Sequence, residues 1–413
     1  MPAHSVDPER LLTRLRHLGQ IGRTPAGALT RLALTDGDRD ARDAYVGWLT
    51  DAGLATEIDA IGNVFGTWNP GGDAGAEAPV MIGSHLDTVV DAGIYDGSSG
   101  VLTALAVVEA IRDAGLSAAR PITIASFTNE EGVRYTPDMM GSLIHAGGFP
   151  LQDALASRGT DGSVLGEELR RIGYAGPMAP GSIRPHAFIE LHVEQGPLLF
   201  HEGLQVGAVE ALQGISWQRV TVHGEANHAG TTPMRLRHDA GYAAARITTF
   251  LHDLAERSDG KVVATVGTLR FQPDVINIIP ATATLTVDLR SPDAERLTAA
   301  EAALTTTLEA LAQEVGVTFD VERLVRFEPV TFDARIVSLV EDAAAARGLG
   351  CRRMTSGAGH DAQMIARIAP SAMIFVPSEG GISHSPGERT SDDDLVAGAN
   401  VLLDVVLELA AHR

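Results

Sequence analysis

Short apolar runs that end in polar residues recur along the chain from about residue 60. Such runs span 79–84, 121–127, 187–191 and 371–376, and each predicts a buried strand. Between the first two, residues 99–113 are strongly helical in pattern. Strand, helix and strand in that order predict an α/β domain with a mainly parallel sheet. Residues 5–60, with Leu, Ile and Trp at helical spacing, are predicted to form helices.

A second pattern occupies the middle of the chain. Segments 217–223, 261–271, 281–290 and 317–325 are predicted strands, and segments 240–254 and 294–315 are predicted helices. Their order, βαββαβ, is the ferredoxin-like pattern. We therefore predict a discontinuous catalytic domain, residues 1–212 and 329–413, interrupted by a lid or dimerisation domain at 213–328. Residues 69–77 are predicted to form a loop.

Composition narrows the classes of partner. The 413 residues carry 32 basic and 53 acidic side chains, for a net charge of −21. This balance argues against nucleic-acid binding, which needs clustered Lys and Arg. No apolar run approaches the roughly 18 residues of a membrane span, and the N-terminus has no signal-peptide pattern. We expect a cytoplasmic protein, and its single cysteine cannot form an internal disulfide.

Histidine and acidic residues follow the predicted strands at equivalent positions. In chain order these are His85, Asp87, Asp96, Glu130, Glu131, His192 and His384. In open α/β sheets, ligands bind beyond the carboxyl ends of the strands. If the sheet is parallel, these side chains converge on one crevice.

The residue types suit a pair of metal ions. Imidazole and carboxylate ligands together favour Zn²⁺ or Mn²⁺, and two such ions about 3.5–4 Å apart can share a carboxylate. Glu130 and Glu131 are adjacent and cannot both reach the same ion, so one would be a ligand and the other a base. A single histidine of this kind is usually structural, but the joint occurrence favours a metal site.

Seven stretches match the motifs of a known family. They are GSHLDTV (83–89), NEEG (129–132), ELHVEQG (190–196), ANHAGTTPM (226–234), DLR (288–290), SGAGHDA (356–362) and HSPGE (384–388). Together they resemble the bimetal M20-type amidohydrolases, in particular the hydantoinase/carbamoylase branch. That branch comprises N-carbamoyl-L-amino-acid hydrolases, β-ureidopropionases and allantoate amidohydrolases.

The resemblance implies a ligand set for two divalent ions per subunit, with zinc expected and Mn, Co or Ni as alternatives. His85, Asp96 and His192 would bind metal, Asp96 would bridge the ions, and Glu131 and His384 would complete the other site. Glu130 would be the general base. Asp87 would be the carboxylate that orients His85.

The resemblance also implies substrate contacts. Gln195 would contact the ureido group, and Gly359 would adjoin the substrate. His228, Asn277 and Arg290 would come from the lid of the partner in a homodimer, which would make the site composite. Arg290 can hold a carboxylate through two parallel hydrogen bonds, and His228 can stabilise the oxyanion catalytically.

The expected reaction is hydrolysis of the N-carbamoyl group of an N-carbamoyl-L-amino acid or similar small carboxylate, giving amino acid, ammonia and carbon dioxide. Allantoate hydrolysis is an alternative within the branch, and hydrolysis of another N-acyl-amino acid is a further alternative. An aminoacylase or dipeptidase is disfavoured by ELHVEQG and NHAGTTPM. A non-catalytic binding protein is disfavoured because Glu130 and all five ligands are present.

Overall fold

The chain divides into two units in the computed structural model, which describes residues 4–70 and 77–411. The first unit contains the described residues up to Glu210 and from Phe332 onward, and the second is Ala211–Thr331. Most of the loop predicted at 69–77 lies outside the described residues. No helix in the described ranges is long and apolar enough to span a bilayer.

The strands are numbered in chain order. They are β1 Ala55–Ile58, β2 Val64–Trp68, β3 Val80–His85, β4 Ile122–Phe127, β5 Ala187–Val193, β6 Val206–Leu212, β7 Gly214–His223, β8 Val263–Gln272, β9 Thr282–Ser291, β10 Thr318–Phe327, β11 Val330–Thr331, β12 Cys351–Ser356 and β13 Ser371–Val376. The helices are α1 Pro8–Leu18, α2 Asp36–Asp51, α3 Ser98–Asp113, α4 Met140–His145, α5 Leu151–Leu155, α6 Leu165–Arg171, α7 Leu198–Glu202, α8 Ala240–Glu256, α9 Ala294–Val315, α10 Ala334–Ala346, α11 Asp361–Ile365 and α12 Asp392–Ala410.

The large sheet has the order β1-β2-β4-β3-β5-β13-β6-β11, and β12 also pairs with β6. Its four central strands, β4, β3, β5 and β13, are parallel. The flanking pairs β1–β2, β2–β4, β13–β6 and β6–β11 are antiparallel. The predicted α/β class with a large, mainly parallel sheet is confirmed, and antiparallel strands flank its parallel centre.

Burial explains why the central strands appear as continuous apolar runs. Every residue of β3, β4, β5 and β13 is buried, as parallel strands covered on both faces require. Helix α3 lies against β3 and is itself packed by α12.

The register aligns the carboxyl ends of the central strands. His85, the last residue of β3, pairs with Phe127, the last of β4. His192 in β5 pairs with Phe375 in β13. The segments that follow β3, β4, β5 and β13 thus leave the sheet at the same edge, where the predicted acids and histidines lie.

The second unit contains β7, α8, β8, β9, α9 and β10 in that order. Its antiparallel sheet has the order β10-β7-β9-β8. Alternate residues of β9 are buried, and their side chains join a core with α8 and α9. Helix α9 begins and ends where the sequence predicts.

The helical prediction for residues 5–60 is wrong at its end. Residues Ala55–Ile58 form β1, which pairs with β2 at the edge of the large sheet. Four residues with only partial burial carry too little pattern to distinguish a strand from a helix end. Long-range pairing with β2 decides the conformation here.

Candidate metal centre

Three buried side chains form the first group of possible ligands. His85 Nε2 lies 3.4 Å from Asp96 Oδ1, and His192 Nε2 lies 3.1 Å from the same oxygen. His85 ends β3, His192 lies in β5, and Asp96 occupies the turn that leads into α3. Two neighbouring strand ends and one turn therefore converge on a single carboxylate.

Backbone carbonyls fix the orientation of both imidazoles. His85 Nδ1 lies 2.9 Å from the carbonyl oxygen of Asp87, and His192 Nδ1 lies 2.9 Å from that of Val193. A carbonyl only accepts, so each Nδ1 carries the proton and each Nε2 is the ring nitrogen that faces the cluster. This is the arrangement that metal-binding histidines adopt.

A second group shares Asp96. His384 Nε2 lies 3.3 Å from Asp96 Oδ2 and 3.7 Å from Glu131 Oε2. The side chain of His384 is 52% exposed, and its backbone has a φ of 51°. His384, which belongs to this group alone, lies in a loop, whereas His85 and His192 lie in strands.

The residues present fit a pair of divalent ions. His85 Nε2 is buried and has no hydrogen-bond partner among the described residues. An acceptor left unsatisfied in this way costs free energy unless something binds it. The two groups, His85–Asp96–His192 and Asp96–Glu131–His384, hold nitrogen and carboxylate donors close enough to bind an ion each.

Gly97 makes room for His85. A Cβ on Gly97 would lie 2.4 Å from His85 Cε1 and 2.5 Å from its Nδ1. The φ of Gly97 is 60°, a region that favours glycine. The Asp-Gly sequence at 96–97 is therefore required by the packing of the imidazole.

Glu130 and Glu131 turn to different parts of the cluster. Glu130 Oε2 lies 3.4 Å from His85 Nε2, whereas Glu131 is near His384. Their backbone N–H groups donate to Asp87 Oδ1 and Oδ2, both at 3.2 Å. The carboxylate of Asp87 thus holds the Glu130–Glu131 segment, and its carbonyl, not its carboxylate, orients His85.

The cluster shifts the pKa values of its members in opposite directions. Burial favours the neutral acid at Asp96, but His192, with His384 and His85, lowers its pKa well below the usual value. Burial raises the pKa of Glu130 well above the usual value and that of Glu131 to about 8. The hydrogen bond to Asp96 raises the pKa of His384 to about 9. Without bound cations, the site therefore retains protons.

The other first-unit predictions lie beside this cluster. Gln195 Nε2 lies 2.7 Å from Asp96 Oδ2 and 3.2 Å from His384 Nε2. Its Oε1 is buried and unpartnered among the described residues. Gly359 is half-buried, and a Cβ there would lie 3.0 Å from Met139 Cε.

Sequence reasoning missed several buried polar residues around the cluster. His360 lies with its ring 4.4 Å from that of His192, and burial lowers its pKa well below the usual value. Glu190 accepts hydrogen bonds from the Ser84 hydroxyl and the Ala362 N–H, at 2.7 and 2.8 Å. Glu388 accepts hydrogen bonds from the turn that carries Asp96. All three lie inside the motifs ELHVEQG, SGAGHDA and HSPGE, so the motifs were a signal for their positions.

The second unit separates the three residues predicted in it. Ala229 N–H donates to the carbonyl of Asn277 at 2.9 Å, and His228 forms an isolated β-bridge with Ile278. His228 and Asn277 therefore lie on adjoining segments. The ladder between β7 and β9 ends where His223 pairs with Thr282, the first residue of β9. The segments of His228 and Asn277 continue beyond this end of the ladder.

Arg290 lies near the other end of β9. It is opposite Ile215 and Val263, and its guanidinium binds Asp288 at 2.9 Å. The strand between Thr282 and Arg290 is roughly 27 Å long at about 3.4 Å per residue. Within one second unit, Arg290 therefore lies far along β9 from the segment of His228 and Asn277, and the expectation that the partner supplies all three residues stays a prediction.

Comparisons with known proteins identify the family. The model of Peptidase family M20/M25/M40 matches residues 81–408. The chain belongs to this family. The N-carbamoyl-L-amino-acid amidohydrolase of Rhizobium meliloti is 39% identical over 98% of this chain and 97% of its own. The allantoate amidohydrolase of Bacillus subtilis is 35% identical over 95% of both chains.

Solved structures agree with this assignment. The amidase of the hydantoinase/carbamoylase family from Burkholderia multivorans has a TM-score of 0.95 and 40% sequence identity, with 100% of both chains covered. The predicted resemblance to the hydantoinase/carbamoylase branch is confirmed. So is the predicted enzyme class, an amidohydrolase acting on amide C–N bonds.

Proposed function

We propose that this M20 amidohydrolase removes the N-carbamoyl group from an N-carbamoyl-L-amino acid or a similar small carboxylate. The observation that carries the proposal is the pair of ligand groups that share Asp96, with Glu130 beside them. The relative from Rhizobium meliloti, an N-carbamoyl-L-amino-acid amidohydrolase, supports the substrate class.

Two divalent ions are proposed as cofactors, with zinc expected and manganese, cobalt or nickel as alternatives. His85, Asp96 and His192 would hold one ion, and Asp96, Glu131 and His384 the other. Ions bound there would polarise the substrate carbonyl and lower the pKa of a water molecule to about 7.

Glu130 moves the proton in this scheme. Its carboxylate accepts a proton from the attacking water and passes it to the leaving nitrogen. The products are the amino acid, ammonia and carbon dioxide. Burial raises the pKa of Glu130 in the metal-free protein, and two divalent cations beside its carboxylate would lower that pKa. The carboxylate of Asp87 keeps Glu130 in place by accepting a hydrogen bond from the backbone N–H of Glu130.

Substrate recognition is assigned to both units. Gln195 would contact the ureido group, since its amide lies against Asp96 and His384. Gly359 would leave space for the substrate beside Met139. Arg290 would bind the substrate carboxylate, with Asp288 orienting its guanidinium. His228 would stabilise the oxyanion, and Asn277 would contact the substrate from the adjoining segment.

The second unit is proposed as a lid and dimerisation domain. Strand β8 lies at the edge of its sheet, and Val263 and Leu269 on that strand are exposed. An exposed edge strand offers unpaired backbone groups to a second copy of the chain. A homodimer formed in this way would bury them and would bring residues of one lid to the neighbouring site.

Allantoate is the second candidate substrate. It has a ureido group on a carbon next to a carboxylate, and the relative from Bacillus subtilis is an allantoate amidohydrolase. The contacts proposed for Gln195, with a ureido group, and for Arg290, with a carboxylate, suit both compounds. The preference between the two substrates depends on which group the site accepts at the position where an amino acid carries its side chain.

A substrate panel tests the proposal. Zinc-loaded protein is assayed with N-carbamoyl-L-amino acids, allantoate, and N-formyl- and N-acetyl-L-amino acids, and both ammonia and free amine are measured. We expect the N-carbamoyl compounds to be hydrolysed with the highest kcat/KM, and Glu130→Gln, the matched control, to be inactive. Preferred hydrolysis of allantoate would select the alternative, and release of amine only from acetyl compounds would contradict both.

A further inference from the structure

Glu388 is a buried carboxylate that the proposed reaction does not use. It is 6% exposed, whereas His384, Pro386 and Gly387, which precede it, are exposed. Burying a carboxylate is unfavourable unless it is hydrogen-bonded. Its partners therefore show what it stabilises.

Both oxygens of Glu388 bind segments that carry proposed metal ligands. Oε1 accepts the backbone N–H groups of Tyr95 and Asp96, each at 3.0 Å. Oε2 accepts the hydroxyl of Ser383, the residue before His384, at 3.2 Å. One side chain thus joins the turn that carries Asp96 to the loop that carries His384.

Gly93 provides the space for this connection. A Cβ on Gly93 would lie 2.5 Å from Glu388 Cβ and 2.7 Å from its Oε1. The φ of Gly93 is not in the positive region, so an alanine could adopt the backbone conformation. Gly93→Ala would therefore act on Glu388 by steric contact.

We propose that Glu388 is a positioning residue that sets the affinity of the second ligand group, Asp96, Glu131 and His384, for its ion. The inference rests on the proposed metal centre. In the first group, His85 and His192 lie on buried strands of the central sheet. In the second, His384 lies in an exposed loop that Glu388 connects to Asp96. Loss of this connection should weaken the second ion more than the first.

Two substitutions remove the connection in different ways, and one preserves it. Glu388→Ala deletes the acceptor, and Gly93→Ala displaces it while leaving the carboxylate present. Glu388→Gln keeps the shape, because its amide oxygen can accept both N–H groups and its amide nitrogen can donate to Ser383. The glutamine variant therefore distinguishes the hydrogen bonds from the charge. Glu109→Ala is the control, since Glu109 is equally buried but pairs with Arg14. Glu109 lies about 16 Å along α3 from Ser98, the residue at which the helix begins after the turn of Asp96.

Metal affinity is measured by titrating chelator-treated full-length protein with Zn²⁺ against a competing chelator, with elemental analysis of the product. Wild-type protein should show two binding steps, which His192→Ala and His384→Ala assign to the two groups. Glu388→Ala and Gly93→Ala should weaken the His384 step by about 10–100-fold and the other step by less than about 3-fold. Glu388→Gln and Glu109→Ala should bind like wild type, and excess Zn²⁺ should restore kcat in Gly93→Ala.

Each contrary result has a distinct meaning. Equal weakening of both binding steps would show that Glu388 supports the whole site and would overturn the selective role. An effect of Glu388→Gln as large as that of Glu388→Ala would show that the charge of Glu388, not its hydrogen bonds, is what matters, and would overturn the mechanism inferred here. Unchanged binding in both alanine variants would overturn the inference while leaving the proposed function intact. Wild-type protein that binds no ion would contradict the proposed function itself. Should Glu388→Ala fail to fold by circular dichroism, Gly93→Ala and Glu388→Gln decide the question.

Discussion

The backbone carbonyl oxygen of Asp87 lies 2.9 Å from His85 Nδ1, whereas Asp87 Oδ1 lies 4.0 Å from that nitrogen. The carboxylate is thus beyond hydrogen-bond distance of the imidazole. It accepts the backbone N–H groups of Glu130 and Glu131 instead. The family resemblance implies that the carboxylate of Asp87 orients His85. In this structure the backbone carbonyl of Asp87 orients it instead.

This arrangement predicts the effect of Asp87→Asn. One carboxylate oxygen becomes an NH₂ group that faces a backbone N–H, so the Glu130–Glu131 segment should shift. A displacement near 1 Å can reduce kcat by about 10²-fold. Binding of the ion at His85 should change little, because the carbonyl remains. Steady-state kinetics and metal analysis of the same preparation test this prediction. Loss of the ion at His85 would instead show that the carboxylate of Asp87 orients His85, as the family resemblance implies.

The two adjacent glutamates should give different phenotypes. Glu130→Gln cannot accept a proton, so kcat should fall by about 10²–10⁴-fold while both ions stay bound. Glu131→Gln should lose metal at the His384 group, and excess metal should partly restore its activity. Elemental analysis beside kcat separates the cases. A reversal of the two phenotypes would mean that the roles are exchanged.

The sequence predicted the parts of this site that depend on strand ends. His85 and His192 follow buried runs, and a parallel sheet brings such ends together whatever the details of the loops. Glu388 was missed because a glutamate after Ser-Pro-Gly is typical of a solvent-exposed loop, and its burial arises from contacts with Tyr95 and Asp96, distant in the chain. The separation of Arg290 from Asn277 follows from the extended strand β9, which the sequence predicted at 281–290. The position of His228 beside Asn277 depends on the register of β7 against β9, which periodicity does not define.

Metal binding should release protons at pH 7. Burial raises the pKa of Glu131 to about 8, and the hydrogen bond to Asp96 raises that of His384 to about 9, so both hold protons in the metal-free protein at pH 7. Ligands must be deprotonated, so apparent affinity should rise from pH 7 towards pH 9. Calorimetry in two buffers of different ionisation enthalpy measures the release. His384→Ala should release fewer protons, and equal release from both proteins would contradict this assignment.

Arg31 should be important for stability. Its guanidinium is fully buried and donates to the carbonyls of Leu18, Ile21 and Leu86 and to the Ser98 hydroxyl. Arg31→Lys cannot reach all four acceptors, and each one left unsatisfied costs about 1–3 kcal/mol. The exposed ion pair of Arg16 with Asp392 is the control, and Arg16→Lys should change stability by less than about 0.5 kcal/mol. Urea denaturation compares the variants, and equal midpoints would contradict the prediction.

The final prediction concerns which subunit supplies each residue of the second unit. Arg290 lies roughly 27 Å along β9 from the end that adjoins His228 and Asn277. In a dimer, one small substrate can meet both places only if they belong to different lids. We therefore expect His228 and Arg290 to serve a given site from opposite subunits.

Subunit mixing tests this directly. Glu130→Gln is mixed with His228→Ala in one experiment and with Arg290→Ala in another, and exchange is verified by mass spectrometry. A lid residue that acts on the neighbouring site should restore activity in heterodimers, up to about one quarter of wild type for random pairing. A residue that acts within its own chain should restore none, because each mixed site then lacks one function. We expect recovery in only one mixture. Recovery in both would show that one partner lid supplies both residues despite their separation along β9, and recovery in neither, after verified exchange, would show that no site in this protein is composite.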